Sequence, residues 1–321
     1  MTDWMAEPVR LLAALVVGWA VPALGMRVFV PTLEASGPRL RNYRDVDVFI
    51  GLGTVWVFWV IAVVGLNAVA VFGVFFGGEL AAPVVFQAVP VVVAAFVFGL
   101  IDDAFGGSAE KGFGGHLRAL MRGRLTTGGL KLLGIGVASL GVALVLELSR
   151  AGEPGATPVW RTAVAVAAAT GIIALSANFV NLLDVRPARA IKAHAALSLI
   201  VAGVAVARAI QLDFSAGASL VEGVGLLVMM IGPMAAVWRW DAGGRGVLGD
   251  AGANAAGALA GFMLAAVLPL LGQVVAAAVL LGINLLSERV SFSAVIERNR
   301  VLAWADGLGR MPEMTEDRPS S

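Results

Sequence analysis

Four aspartates stand where apolar runs meet polar sequence. Asp102 and Asp103 close an uncharged run from Ala81 to Ile101. Asp184 closes the series Asn178-x-x-Asn181-x-x-Asp184, and Asp250 lies in Gly249-Asp250-Ala251-Gly252. Adjacent carboxylates at an apolar border repel one another and are costly to desolvate. A divalent cation, or a proton to be moved, would justify that cost. A solvated helix end explains the Asp102–Asp103 pair equally well on its own. The spacing of three in Asn178, Asn181 and Asp184 puts their side chains near one face of a helix end. Glycines such as Gly249 let backbone amides approach anionic oxygens. Lys131 and Lys111 add positive charge nearby. Four carboxylates with lysines and glycines suit magnesium, which takes a few carboxylates and leaves positions open to phosphate oxygens. Each residue also has a plainer reading. Acids anchor helix ends, Gly-Asp makes turns, asparagines bridge helices, and a lysine such as Lys131 snorkels. The gathering of three separate segments favours the joint, chemical reading.

These residues need a scaffold that brings distant segments together, and the composition says which kind. The chain has 321 residues, 59% hydrophobic and only 14% charged, with a mean hydropathy of +0.88. Soluble domains are about a quarter charged, so this is an all-α, polytopic membrane bundle. The net charge of +1 gives no footing for nucleic acid, and the absence of cysteine excludes disulfide and thiol chemistry. Two histidines, His116 and His194, do not make a multi-histidine zinc site.

Runs long enough to cross a bilayer begin near Val9–Val30, a segment read as a retained span rather than a cleaved signal, because Asp3 and Glu7 precede it. Further spans follow near Val48–Phe76, Ala81–Ile101, Thr127–Leu148, Val159–Ala177, Ala190–Ile210, Leu220–Trp238, Ala251–Leu271 and Val274–Leu286. That makes nine, with residues 1–286 as the transmembrane catalytic bundle and 287–321 as a polar tail. If the spans alternate, all but four (Arg10, Arg150, Arg161, Arg208) of the 23 lysines and arginines fall on one face. Such a bias makes that face cytoplasmic. The N-terminus is then outside, the C-terminus is cytoplasmic, and the aspartates lie at the cytoplasmic surface of the cell membrane. In the tail, Val290, Phe292, Val295, Ile296, Leu302 and Trp304 predict an interfacial amphipathic helix.

Asp-Asp after the third span, Asn-x-x-Asn-x-x-Asp after the fifth and Gly-Asp-x-Gly before the eighth occur in this order in polyprenyl-phosphate sugar-1-phosphate transferases. The chain resembles that family over most of its length. The family includes phospho-N-acetylmuramoyl-pentapeptide transferases and UDP-N-acetylglucosamine–undecaprenyl-phosphate transferases. The resemblance implies transfer of a sugar-1-phosphate from a UDP-sugar to a polyprenyl phosphate, with UMP released, for cell-envelope glycan synthesis such as peptidoglycan. It implies Mg2+ as cofactor, with Asp250 and Asp102 as ligands. Asp102 and Asp103 would serve the acceptor phosphate, one as base. Asn178, Asn181 and Asp184 would bind the nucleotide diphosphate or the metal. Lys131 resembles a family lysine that contacts phosphate, and Lys111, in Lys111-Gly-Phe-Gly-Gly-His116, is a further candidate in a loop of different spacing.

The sequence departs from the family pattern in three places. The late histidine-rich loop that helps bind the donor is replaced by Ser287–Asn299, where Arg289 and Glu297 are the candidates. Val185, not glycine, follows Asp184, and a tenth span is absent. Two other readings remain: an inactive relative that scaffolds envelope enzymes, and a transporter. Transporter acids sit near mid-membrane, whereas the third, fifth and seventh spans have uncharged centres. Nothing in the sequence decides for or against a homodimer.

Overall fold

The computed structural model describes residues 3–71, 82–106, 112–152, 157–212 and 214–310. The chain begins with α1 (Asp3–Leu15), which passes through a π-helical turn at Val16–Ala20 into α2 (Val21–Ser36). A hairpin of β1 (Arg39–Arg41) and β2 (Asp47–Ile50) leads to α3 (Val55–Val71). Next come α4 (Ala82–Gln87), α5 (Val89–Phe105), α6 (Gly112–Met121), α7 (Thr127–Ala151), α8 (Val159–Leu183), α9 (Arg189–Gln211) and α10 (Ala216–Ala242). After the two-residue β3 (Gly246–Val247), the chain ends in α11 (Gly249–Val267), α12 (Leu270–Ser287), α13 (Phe292–Arg298) and α14 (Arg300–Gly307).

Among the described residues, eight helices are long and apolar enough to cross a membrane, and Leu52–Ala68 is a shorter apolar helix. Each of the nine expected segments contains a helix, but the second, expected from Val48, opens in β2, and its helix falls short of spanning length within the described residues. The chain is a helical membrane bundle. A small sheet, not expected from the sequence, is added to it. In that sheet β1 pairs antiparallel with β2, and β2 pairs parallel with β3, joining Phe49 to Gly246 and Ile50 to Val247.

α11 is the centre of the bundle. Nearly every residue from Gly249 to Ala265 is buried, as befits a helix that is apolar all round. Its sequence, GDAGANAAGALAGFMLAAV, is mostly glycine and alanine. In lipid, helices associate by close packing rather than by hydrophobic drive, and small residues permit it. A Cβ on Gly257 would stand 2.2 Å from the Ser176 carbonyl oxygen of α8, and one on Gly261 2.8 Å from Ile173 Cα. From the other side, a Cβ on Gly99 of α5 would meet the Asp250 carbonyl oxygen at 2.5 Å. Backbone-to-backbone approach on two sides fixes the height of α11 against α5 and α8. Two buried indoles of α3 tie it to α11 and to α10. Trp56 Nε1 donates to Gly252 O at 3.0 Å, and Trp59 Nε1 donates to Met229 O of α10 at 3.0 Å.

The tail forms two short helices rather than one interfacial helix. The Arg189 guanidinium grips Asp306 of α14 through Nε (2.7 Å) and Nη2 (2.8 Å), and its Nη1 donates to Ser293 Oγ at 2.8 Å. Arg186 pairs with Glu297 of α13. Burial opposes ionisation of Asp306, but its bonds to Arg189 and the charges of Arg189, Arg310 and Lys192 prevail and hold its carboxyl below the ordinary value.

Candidate active site

The four sequence-predicted aspartates meet at the N-terminal end of α11, three of them in the wall of one cavity. A helix start leaves backbone N–H groups without partners and carries partial positive charge. Leu248 precedes α11 and offers no side-chain cap. Asp103, from the last turn of α5, supplies it: Oδ1 accepts from Asp250 N at 2.9 Å and Oδ2 from Ala251 N at 3.0 Å. Gly249 makes this possible. Its φ is +73°, and a Cβ there would lie 2.7 Å from Asp103 Oδ2, so a side chain would be both strained and in the way.

The Lys131 ammonium, one turn into α7, donates to Asp102 Oδ2 at 2.6 Å and to Asp250 Oδ2. Its side chain is 10% exposed. A buried lysine needs such partners to offset its lost hydration. The start of α7 is held in turn by Thr126, whose Oγ1 accepts from Gly129 N at 3.0 Å and lies 2.8 Å from His116 Nδ1.

Asp103, Asp184 and Asp250 line a cavity of about 350 Å³, whose other walls come from the β1–β2 hairpin, the α8–α9 turn and the segment 244–249. A fourth carboxylate, Asp241 at the end of α10, completes the acidic side. Asp241 is 3% exposed, and its Oδ2 accepts from Ala188 N at 2.7 Å. Ala188 has φ +67°, a left-handed conformation that costs a non-glycine residue about 1 kcal/mol or more. Asp241 thus pins the strained turn that presents Asp184. Sequence reasoning missed Asp241. The signal was weaker than at Asp102, since Arg239 and Trp240 separate Asp241 from the end of the seventh apolar run.

Asp184 lies just beyond the end of α8, outside the membrane spans. Burial first, and then the negative charges of Asp241, Asp250 and Asp103, raise its proton affinity well above the ordinary carboxylate range, against a bond from the Gly249 N–H. On the opposite wall, Tyr43 has the guanidinium groups of Arg44 and Arg186 each 5.2 Å from its ring centre. Arg41 and Arg186 also line the cavity.

The other predicted residues do not line the cavity. Asp102 stands behind its wall, bridged to Asp250 by Lys131. Asn178 Nδ2 donates to Asn284 Oδ1 at 2.6 Å, joining α8 to α12, which is the helix-bridging role open to it from the sequence. Asn181 accepts the Asp184 N–H through its carbonyl at 3.1 Å. Neither asparagine lines the cavity. Arg289 is exposed just beyond α12 and does not line it either. Lys111 lies outside the described residues.

Among the described residues, no trio of His, Cys, Asp or Glu is grouped to hold a metal by itself. Magnesium does not require one: it is commonly held by one or two carboxylates, its remaining positions going to water and substrate phosphate. The donor set fits that mode. Four carboxylates ring one space, Lys131 is bonded to only one of them, and the raised proton affinity of Asp184 registers the uncompensated charge. No protein-family model matches this chain, and no curated protein matches it.

Proposed function

We propose that this chain is a magnesium-dependent transferase that moves a sugar-1-phosphate from a UDP-sugar to a polyprenyl phosphate. The observation that carries the reading is the convergence of Asp103, Asp184 and Asp250, from three separate sequence motifs, on one cavity at one end of a membrane bundle. A second feature supports it. On the far side of the α8–α9 turn, an almost wholly apolar groove of about 890 Å³ runs between α8, α9 and α12, from Arg189 and Lys192 at one end to Leu268 and Leu271 at the other. That shape and polarity suit a long hydrocarbon chain whose anionic head reaches the cavity end.

In this reading a phosphate oxygen of the acceptor attacks the β-phosphorus of the donor. The bond from that phosphorus to its bridging oxygen breaks, and UMP departs with the electron pair. Magnesium, held by Asp184 and Asp250, would offset the charge on the diphosphate. Asp103 has both carboxylate oxygens committed to backbone N–H groups, so its part is to fix α11 and the Asp250 backbone. Asp102, bridged to Asp250 by Lys131, is then the carboxylate left to act as base toward the acceptor phosphate. Lys131 orients Asp102 and Asp250 toward each other, and Arg41 and Arg186 face the anionic donor. The reading includes nine crossings, counting Leu52–Ala68, with the N-terminus outside and the cavity at the cytoplasmic face of the cell membrane.

The test is UMP release by purified protein given undecaprenyl phosphate, magnesium and a panel of UDP-sugars. Release that needs magnesium and falls by at least about a hundredfold in Asp250→Asn is expected. No release with any donor, beside an active transferase in the same assay, sinks the reading.

A further inference from the structure

Three of the four basic residues that lie off the aspartate end meet in a second cavity. Arg150, Arg161 and Arg208 line a space of about 400 Å³ at the opposite end of the bundle, between the ends of α7 and α9 and the beginnings of α8 and α12. Two of the three have structural work. Helix α11 ends here with carbonyl groups that lack intrahelical partners. Arg150 Nη1 donates to Ala265 O at 3.1 Å and Nη2 to Ala266 O, while Arg208 Nη1 donates to Val267 O at 2.7 Å. Arg150 also pairs with Glu147 at 2.9 Å. Arg161 has no such work: its backbone N–H bonds to Pro158 O at 2.9 Å, but among the described residues its guanidinium has no hydrogen bond or ion pair.

The back of the cavity is also unsatisfied. Gln273 is 1% exposed. Its Nε2 donates to Glu147 Oε1 at 2.7 Å and to Ala265 O at 2.9 Å, but its Oε1 has no donor. A buried polar atom without a partner costs about 1–3 kcal/mol. In addition, α8 and α12 both start at this cavity behind prolines, Pro158 and Pro269, with no side-chain cap, so their first N–H groups favour an anion. Three guanidiniums against one carboxylate leave two positive charges in excess among the described lining residues. Arginines that merely anchor a helix in headgroups would be spread around the bundle, not gathered about a buried carboxylate and an orphaned amide.

We propose that this cavity binds a phosphate group bearing a hydroxyl or protonated oxygen. The guanidinium forks match phosphate oxygens in pairs, and the hydroxyl supplies the donor that Gln273 Oε1 lacks. The phosphate has two possible sources, the headgroup of a lipid in the adjoining leaflet or a soluble phosphate. The site is remote from the aspartates and stands independently of the transfer reaction.

Two probes separate the sources. The first is inorganic phosphate added to the purified protein in detergent at constant ionic strength, with the unfolding midpoint as readout. The second is native mass spectrometry after exchange into phosphatidylglycerol or phosphatidylcholine. Arg161→Gln is the test variant, because the Arg161 side chain is exposed and has no partner among the described residues, so its loss leaves the core intact. Arg10→Gln removes an equal charge near the same end of the bundle. The wild type should be stabilised by phosphate, or should retain phosphatidylglycerol over phosphatidylcholine. Arg161→Gln should weaken that binding about tenfold or more, and Arg10→Gln should not. Stabilisation by inorganic phosphate assigns a soluble ligand; lipid retention alone assigns a headgroup. Equal behaviour of wild type and Arg161→Gln toward both probes overturns the proposal, and so does an equal loss in Arg10→Gln.

Discussion

Lys131 decides whether the aspartate cluster holds together. Its ammonium is the group bonded to both Asp102 and Asp250, and Lys131→Met would leave two carboxylates facing each other with little water. Removing one partner of a buried pair costs about 3–5 kcal/mol. Thermal unfolding should show that loss, and Asp102→Asn added to Lys131→Met should return about 1–3 kcal/mol of it; strictly additive effects would mean the pairing contributes nothing. Asp184 gives a prediction of a different sign. Its carboxyl holds a proton in the folded chain at pH values where the unfolded chain has released it, so the native state binds more protons and stability falls as pH rises. With divalent ions chelated, the unfolding midpoint should fall from about pH 4 upward, above the ordinary value of 3.8, until Asp184 is ionised. Asp184→Asn should flatten that fall, and magnesium should reverse it in the wild type but not in the variant. A pH profile identical in both proteins would remove Asp184 from the set of uncompensated charges. At this scale the sequence was legible where an acid borders an apolar run, which found Asp103 and Asp184 at the end of one and Asp250 at the start of another. It was not legible where a partner is distant. Nothing near Asn178 announces Asn284, and nothing near Asp103 announces that its oxygens cap a helix that begins at residue 249.

Among the elements, α11 sets the positions of the others. The apolar runs marked the helices. Which helix is central was hidden, because that depends on which backbones touch. The three-stranded sheet was hidden for a related reason: β1 and β3 have three and two residues, too few to show an alternating pattern, and β3 pairs with a strand some 200 residues earlier. Close packing makes a sharp prediction at Gly257. Its Cβ would stand 2.2 Å from the Ser176 carbonyl oxygen, whereas a Cβ on Gly141 of α7 meets nothing within 4 Å. Gly257→Ala must push α8 and α11 apart and should cost about 1–3 kcal/mol. Gly141→Ala meets no obstacle and should be neutral or stabilising by up to about 1 kcal/mol, since alanine is the better helix former. Unfolding of the two variants in one detergent gives the comparison. A larger loss at Gly141 than at Gly257 would mean that α11 does not pack on α8 as described. Displacing α11 also moves Asp250, so magnesium-dependent stabilisation should weaken in Gly257→Ala and survive in Gly141→Ala.

For the molecule as a whole, the question is which way the bundle faces. The charge bias that leaves only Arg10, Arg150, Arg161 and Arg208 off one face was visible in the sequence, and the structure places the two cavities at opposite ends of the same helices: α11 begins at Asp250 and ends beside Arg150 and Arg208. A UDP-sugar is made and used on the cytoplasmic side, so the transfer reading requires the aspartate end to face inward, the orientation that the positive-inside bias predicts. The number of crossings is tied to this. If Leu52–Ala68 crosses, the two termini lie on opposite sides; if it does not, they lie on the same side. The natural chain has no cysteine, so single cysteines report position without background. Thr157→Cys, at the arginine cavity, should react with a membrane-impermeant maleimide added outside intact cells. Arg122→Cys, between α6 and α7, should react only after permeabilisation. A cysteine placed after Met1 should follow Thr157→Cys, and one at Ser321 should follow Arg122→Cys. Labelling of both termini from the same side would reduce the count to eight. Labelling of Arg122→Cys from outside would turn the aspartate cavity away from the nucleotide pool and end the transfer reading, while leaving the phosphate site at the other end to be tested on its own terms.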